Sequence, residues 1–136
     1  MSDRAAATIT STTKHEIAAI LIGEYRNGIW HARLNWPTHG DVASVEFDWQ
    51  KVLEREERKG DVVGFYHTHP DGFSSFSSRD VRTMQSWCSC FGKPLLCLIE
   101  CETITRGWVF RSEQDAIELL ALTRFRNNWL VAVQQR

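Results

Sequence analysis

The chain has 136 residues, 43% of them apolar and 24% charged, and its 16 Lys and Arg against 17 Asp and Glu leave a net charge of −1. This is the composition of one globular domain; it argues against a largely disordered chain and offers no basic excess for general binding to nucleic acid or acidic membranes. No apolar run is long enough to span a bilayer, no secretory signal pattern is visible, and four cysteines confined to the stretch from Cys88 to Cys101 fit a reducing cytoplasm better than a disulfide framework.

Residues 1–13 are small and polar and read as a flexible N-terminal segment or an edge strand ahead of a single domain over 14–136. The continuous apolar run in Glu16-Ile-Ala-Ala-Ile-Leu-Ile22 predicts a strand buried on both faces. Asn27-Gly28 predicts a hairpin turn, Ile29 to Asn35 the returning strand, and Pro37 to Gly40 a loop. Val42 to Phe47 alternates as a third strand, and Asp48 can cap a helix with Trp49, Val52 and Leu53 on its inner face and Glu54 to Lys59 outside. Val62 to His69 reads as a strand stopped by Pro70, followed by a Gly- and Ser-rich loop to Phe76. A helix from Ser78 to about Phe91 follows, with Val81, Met84, Cys88 and Phe91 on one face and Gly92 closing it. Pro94 to Cys101 and Gly107 to Arg111 predict strands, and the very apolar segment from Ser112 to about Val131 predicts a long helix packed on the sheet. The expected class is α/β (α+β), a mixed β-sheet flanked by helices.

The chemistry concentrates between Gly64 and Asp80. His67 and His69 are two apart near a strand end, so both imidazoles share a face while Thr68 points the other way. Pro70 turns the chain away, and Asp80 can return a carboxylate from the first turn of the next helix. Two His and one carboxylate with a fourth position open to water is the donor set of a catalytic zinc site. Ser77-Ser-Arg-Asp80 taken alone is also a capping box, and a helix start is a rigid place to hold both a hydroxyl and a carboxylate.

His67-x-His69, seven residues, then Ser77-x-x-Asp80 resembles the JAMM motif of the MPN+ (JAB domain) metalloproteases, and Gly64-Phe-Tyr-His-Thr-His-Pro70 is similar to that family's run before the loop. The family's upstream Glu-x-x-Gly-x-Leu-x-Gly is matched by Glu16 to Gly23, with Ala19 in place of the first Gly. The resemblance covers roughly residues 14–111. It implies a JAB/MPN-like (cytidine-deaminase-like) domain holding one zinc ion per chain on His67, His69 and Asp80. Glu16 would be the general base and acid, and Ser77 the hydrogen-bond donor to the developing oxyanion.

Family members with these residues are mostly isopeptidases, and the short chain most resembles stand-alone bacterial JAB proteins found with E1-like, E2-like and ubiquitin-like proteins, some in antiphage systems. The resemblance therefore implies attack of zinc-bound water on the bond after the last residue of a ubiquitin-like modifier, with the modifier or its conjugate as partner. No nucleic acid or membrane partner is expected. The alternatives are a JAB peptidase of another branch (sulfur-carrier processing or phage-tail type), a non-catalytic MPN binding module, and an iron oxygenase using the same donor types. Thr68 and Phe76 depart from the RadC-like pattern. The cysteines read as buried small hydrophobes, His15, His31 and His39 as surface or structural residues, and Trp49, Trp87 and Trp129 as core residues on helices.

Overall fold

A computed structural model describes residues 16–40, 49–69, 76, 78–101, 104–126 and 129–134. Its strands are β1 (Glu16–Arg26), β2 (Ile29–Gly40), β3 (Val62–Thr68), β4 (Leu95–Glu100), β5 (Thr105–Arg111), β6 (Gln114–Arg124) and β7 (Trp129–Gln134), with helices α1 (Trp49–Lys59) and α2 (Ser78–Phe91). The strands close into a barrel in the order β1-β2-β7-β6-β5-β4-β3. All neighbours pair antiparallel except β3 and β4, which run parallel and are joined through α2.

The apolar pattern builds two cores. Ala19 and Leu21 of β1, Leu96 and Leu98 of β4, Trp30, Ala32, Tyr66 and Leu130 fill the barrel. Ile20, Ile22, Phe65, Leu95, Cys97, Ile99, Trp108 and Phe110 face outward and are covered by Val52 of α1 and Met84 and Cys88 of α2. A strand packed on both faces needs apolar residues at every position, and Ile17 to Ile22 are all buried. Ala19, the departure from the family pattern, places its methyl inside the barrel core. Asn27 (φ 55°) and Gly28 (φ 81°) make the tight turn between β1 and β2 with both residues left-handed, as such a hairpin requires. Gly64 lies so close to β4 that a Cβ there would sit 2.0 Å from the Leu96 carbonyl oxygen.

The closed barrel overturns the expected α/β (α+β) class, a mixed β-sheet flanked by helices. The main cause is residues 112–131, expected as one helix and folded as β6 and β7. The register of β6 against β7 shifts between Leu119 and Ala121, so the inward-packed Leu119 and Leu122 stand three apart. A bulge in a strand thus imitates helical spacing, and Glu118-Leu-Leu-Ala-Leu122 adds strong helix formers. Pairing with β5 on one side, and β7's pairing with β2, outweigh that local preference. Trp129 accordingly lies on β7 and is 43% exposed rather than in a helix core.

Smaller corrections have similar causes. Pro37 to Gly40, expected as a loop, continue β2 past a bulge opposite Ala18 and Ile20, where Trp36 takes φ 54°. A bulge spares proline the ladder donor it lacks. Leu53 is substantially exposed while Val52 faces inward. His69 stands one residue past the end of β3. The expected strand Val42 to Phe47, the Asp48 cap and residues 1–13 lie outside the described residues. Cys88, Cys97 and Cys101 are buried, Cys90 is exposed, and all four are free; burial pushes the Cys88 thiol up to about 11.

Candidate metal centre

Strand alternation sorts the end of β3. Phe65 belongs to the outer core and Tyr66 to the barrel interior, so His67 and His69 follow Phe65 outward and Tyr66 and Thr68 face the barrel. The two imidazole rings lie 4.7 Å apart at 78° to one another. α2 begins beside them and brings Asp80 in its first turn. Phe76, just before the helix, packs edge-on against Trp108 (4.8 Å) and Phe110 (5.1 Å), anchoring the chain where α2 starts.

His67, His69 and Asp80 each offer a ligand atom, and these atoms lie within 4.8 Å of one another. The three residues are half-buried. Burial, followed by the neighbouring His69 charge, pushes the His67 imidazole down to about 4 against the opposing pull of Asp80. His67 is therefore a neutral imidazole at neutral pH, the form that ligates metal. Two imidazole nitrogens and one carboxylate oxygen suit zinc, and also other first-row divalent ions. The residues present fit the metal that the sequence pattern implies.

Hydrogen bonds fix the ligand-bearing end of β3 on both sides. Ile17 N–H donates to Thr68 Oγ1 at 2.9 Å, and His69 N–H donates to the Glu100 carbonyl at 2.9 Å. Glu16 opens β1 two positions before Ala18, whose partner across the β1–β3 ladder is His67. The backbone therefore starts Glu16 one strand away from the histidines. Ser77 lies outside the described residues.

A polar group that sequence reasoning missed backs the site from inside the barrel. Tyr66 Oη donates to Glu100 Oε1 at 2.6 Å, and Arg124 Nη1 donates to the same oxygen. Burial and the Glu100 charge push the Tyr66 hydroxyl far above its ordinary range. Nothing in the spacing marks these residues, and Arg124 fell in the segment expected as a helix. Among the described residues, no helix is long and apolar enough to cross a membrane.

Comparison with known proteins adds one positive finding. Residues 1–115 match the model of a family described as prokaryotic homologs of the JAB domain. No curated protein matches the chain.

Proposed function

The chain belongs to the family of prokaryotic JAB domain homologs, and from that premise we propose that it is a zinc-dependent peptidase that removes or processes a ubiquitin-like modifier. The observation that carries the proposal is the convergence of His67, His69 and Asp80. It joins β3 to α2 at the positions the JAMM pattern marks.

His67 and His69 would hold zinc through neutral ring nitrogens, and Asp80 would add the carboxylate that offsets part of the metal's charge. When bound, zinc supplies a Lewis acid and lowers the pKa of water toward neutrality. The chain's own residues do the rest. Glu16 takes a proton from the attacking water on a carboxylate oxygen and returns it to the departing amine nitrogen, so one group serves as base and then acid. Ser77 Oγ donates a hydrogen bond to the carbonyl oxygen as negative charge develops there. The scissile bond follows the last residue of the modifier, either a peptide bond in a precursor or an isopeptide bond to Lys. E1-like and E2-like proteins are the partners that such a modifier requires. Four free cysteines suit a reducing compartment, the cytoplasm.

The test is metal analysis together with cleavage of a modifier fused through its C-terminal Gly to a reporter. Wild type should bind about one zinc per chain and cleave. Glu16→Ala should keep the metal and lose activity by about 100-fold or more, and His69→Ala should lose both. A fully active Glu16→Ala would reject the assigned role. Zinc without cleavage would point to the sulfur-carrier or phage-tail type of JAB peptidase. A wild type that takes up no zinc would point to a binding module.

A further inference from the structure

We propose that Arg124 is a positioning residue for the metal centre, holding the histidine-bearing end of β3 from inside the barrel through Glu100. The proposal rests on His67, His69 and Asp80 being metal ligands. It concerns a residue of β6 that lies beyond the family-matched segment, which ends at residue 115.

Glu100 ends β4 and is 8% exposed. It connects to the histidines in two ways. Its carbonyl accepts the His69 N–H at 2.9 Å, and its carboxylate accepts the hydroxyl of Tyr66, the residue before His67, at 2.6 Å. In the parallel ladder, Thr68 between the histidines is the Cα partner of Glu100. The charge that balances this carboxylate comes from Arg124, whose guanidinium also stands 5.9 Å over the Tyr66 ring.

The Glu100 and Arg124 side chains are only 10% and 23% exposed, so water is a poor substitute for either partner. Without Arg124 the carboxylate would keep one neutral donor in a largely dry setting. Deprived of its ionic partner, the side chain would turn toward solvent, and that movement disturbs the end of β4 that fixes the His69 backbone.

The experiment uses zinc and cobalt(II) as probes on the full chain, measuring zinc affinity by chelator competition and the visible spectrum of the cobalt-loaded protein. Arg124→Met should weaken zinc binding about tenfold, the low end of losses seen when groups supporting a ligand are removed, and should alter the cobalt spectrum. Arg124→Lys should restore most of both. Val109→Ala truncates a fully buried side chain of β5, where Val109 pairs with Leu96 at the other end of β4 from Glu100, and should lower the melting temperature while leaving affinity and spectrum at wild-type values.

Wild-type affinity and spectrum in Arg124→Met would overturn the proposal and leave the metal site standing. So would an equal loss in Val109→Ala. A wild type that binds neither ion would overturn the metal site and this inference together. Should Arg124→Met not fold, Glu100→Gln weakens the same clamp with little change of shape, and unchanged zinc affinity there would overturn the proposal.

Discussion

The two halves of the barrel wall are built differently. Along Ile17 to Ile22 of β1 and along β4 the wall is covered on both sides, and Leu95 to Glu100 are buried without a break. Among the described residues, β6 beyond Ala116 and β7 are covered mainly on the inner face, and Leu120 (67% exposed), Ile117 (38%) and Trp129 (43%) stand open. The helices make the difference, because α1 and α2 lie over the outer core of β1, β3, β4 and β5. All three candidate metal ligands belong to the covered half, His67 and His69 at the end of β3 and Asp80 at the start of α2. Donors that must stay in register are best carried by elements fixed on both faces. The half-covered hairpin closes the barrel and sends one side chain, Arg124, toward the site.

The largest predicted effect breaks the covered half at its tightest point. In Gly64→Ala the new Cβ would meet the Leu96 carbonyl oxygen at 2.0 Å and its carbon at 2.7 Å. Both are backbone atoms, so β3 and β4 must separate. We expect a loss on the order of 4 kcal/mol or more, or no folded protein. Gly107→Ala is the matched control. Its Cβ would meet the ends of the Leu119 and Leu98 side chains, at 2.4 and 2.5 Å, and these can turn aside for roughly 1–3 kcal/mol. Urea unfolding of both variants ranks them, and equal losses would show that β3 and β4 can part more easily than their spacing implies.

The same contrast decides what could be read from the sequence. Where burial is two-sided, the signal is continuous and strong: Glu16 to Ile22 and Pro94 to Cys101 were legible as strands. So was α2, whose Met84 and Cys88 are buried at helical spacing. The pairing of His67 with His69 followed from strand period two, and Asp80 from its place in a helix start. The hairpin was illegible because its bulge sets Leu119 and Leu122 three apart, and because pairing with β5 and β2 is a property of distant strands. Barrel closure depended on that hairpin, so it was lost with it. Glu16 could be assigned only by resemblance, since no local spacing links the start of β1 to the end of β3. Glu100 and Arg124 meet across the barrel, where sequence distance carries no signal.

A pair of truncations sharpens the comparison. Phe110 is fully buried, and its ring meets Phe76 at 5.1 Å. Phe110→Ala should cost about 3–5 kcal/mol through lost contacts and a cavity, and should weaken zinc binding by loosening the chain ahead of α2. Leu120→Ala, on the open wall, should change stability by no more than about 0.5 kcal/mol. Denaturation midpoints measure both. A large loss at Leu120 would mean that this face is covered in solution, and the contrast between the halves would fail.

The smallest effect separates the halves electrostatically. One Arg lies within the covered half and another reaches from β5 to the open hairpin, each held to a carboxylate by two hydrogen bonds. Arg55 of α1 binds Asp61 at 2.8 and 2.6 Å, and Arg106 of β5 binds Glu118 of β6 at 2.7 and 2.8 Å. In each, hydrogen bonds from the guanidinium hold the carboxyl below its usual range, against the upward push of partial burial. A depressed carboxyl stabilises the fold fully above the unfolded pKa, about 4 for these groups. It loses that contribution as pH falls through the lower folded value. Arg55→Met should therefore cost up to about 1 kcal/mol at pH 7, and the gap to wild type should close as the solution is acidified below pH 4. Arg106→Met should show the same sign. Its pair is more exposed, with side chains 36% and 44% accessible against 22% and 27% for Arg55 and Asp61. Salt at about 1 M, where the screening length is about 3 Å, should erase the Arg106 effect first and leave part of the Arg55 effect. Equal salt sensitivity in unfolding curves at pH 7 would show that helix cover gives the Arg55 pair no protection from solvent.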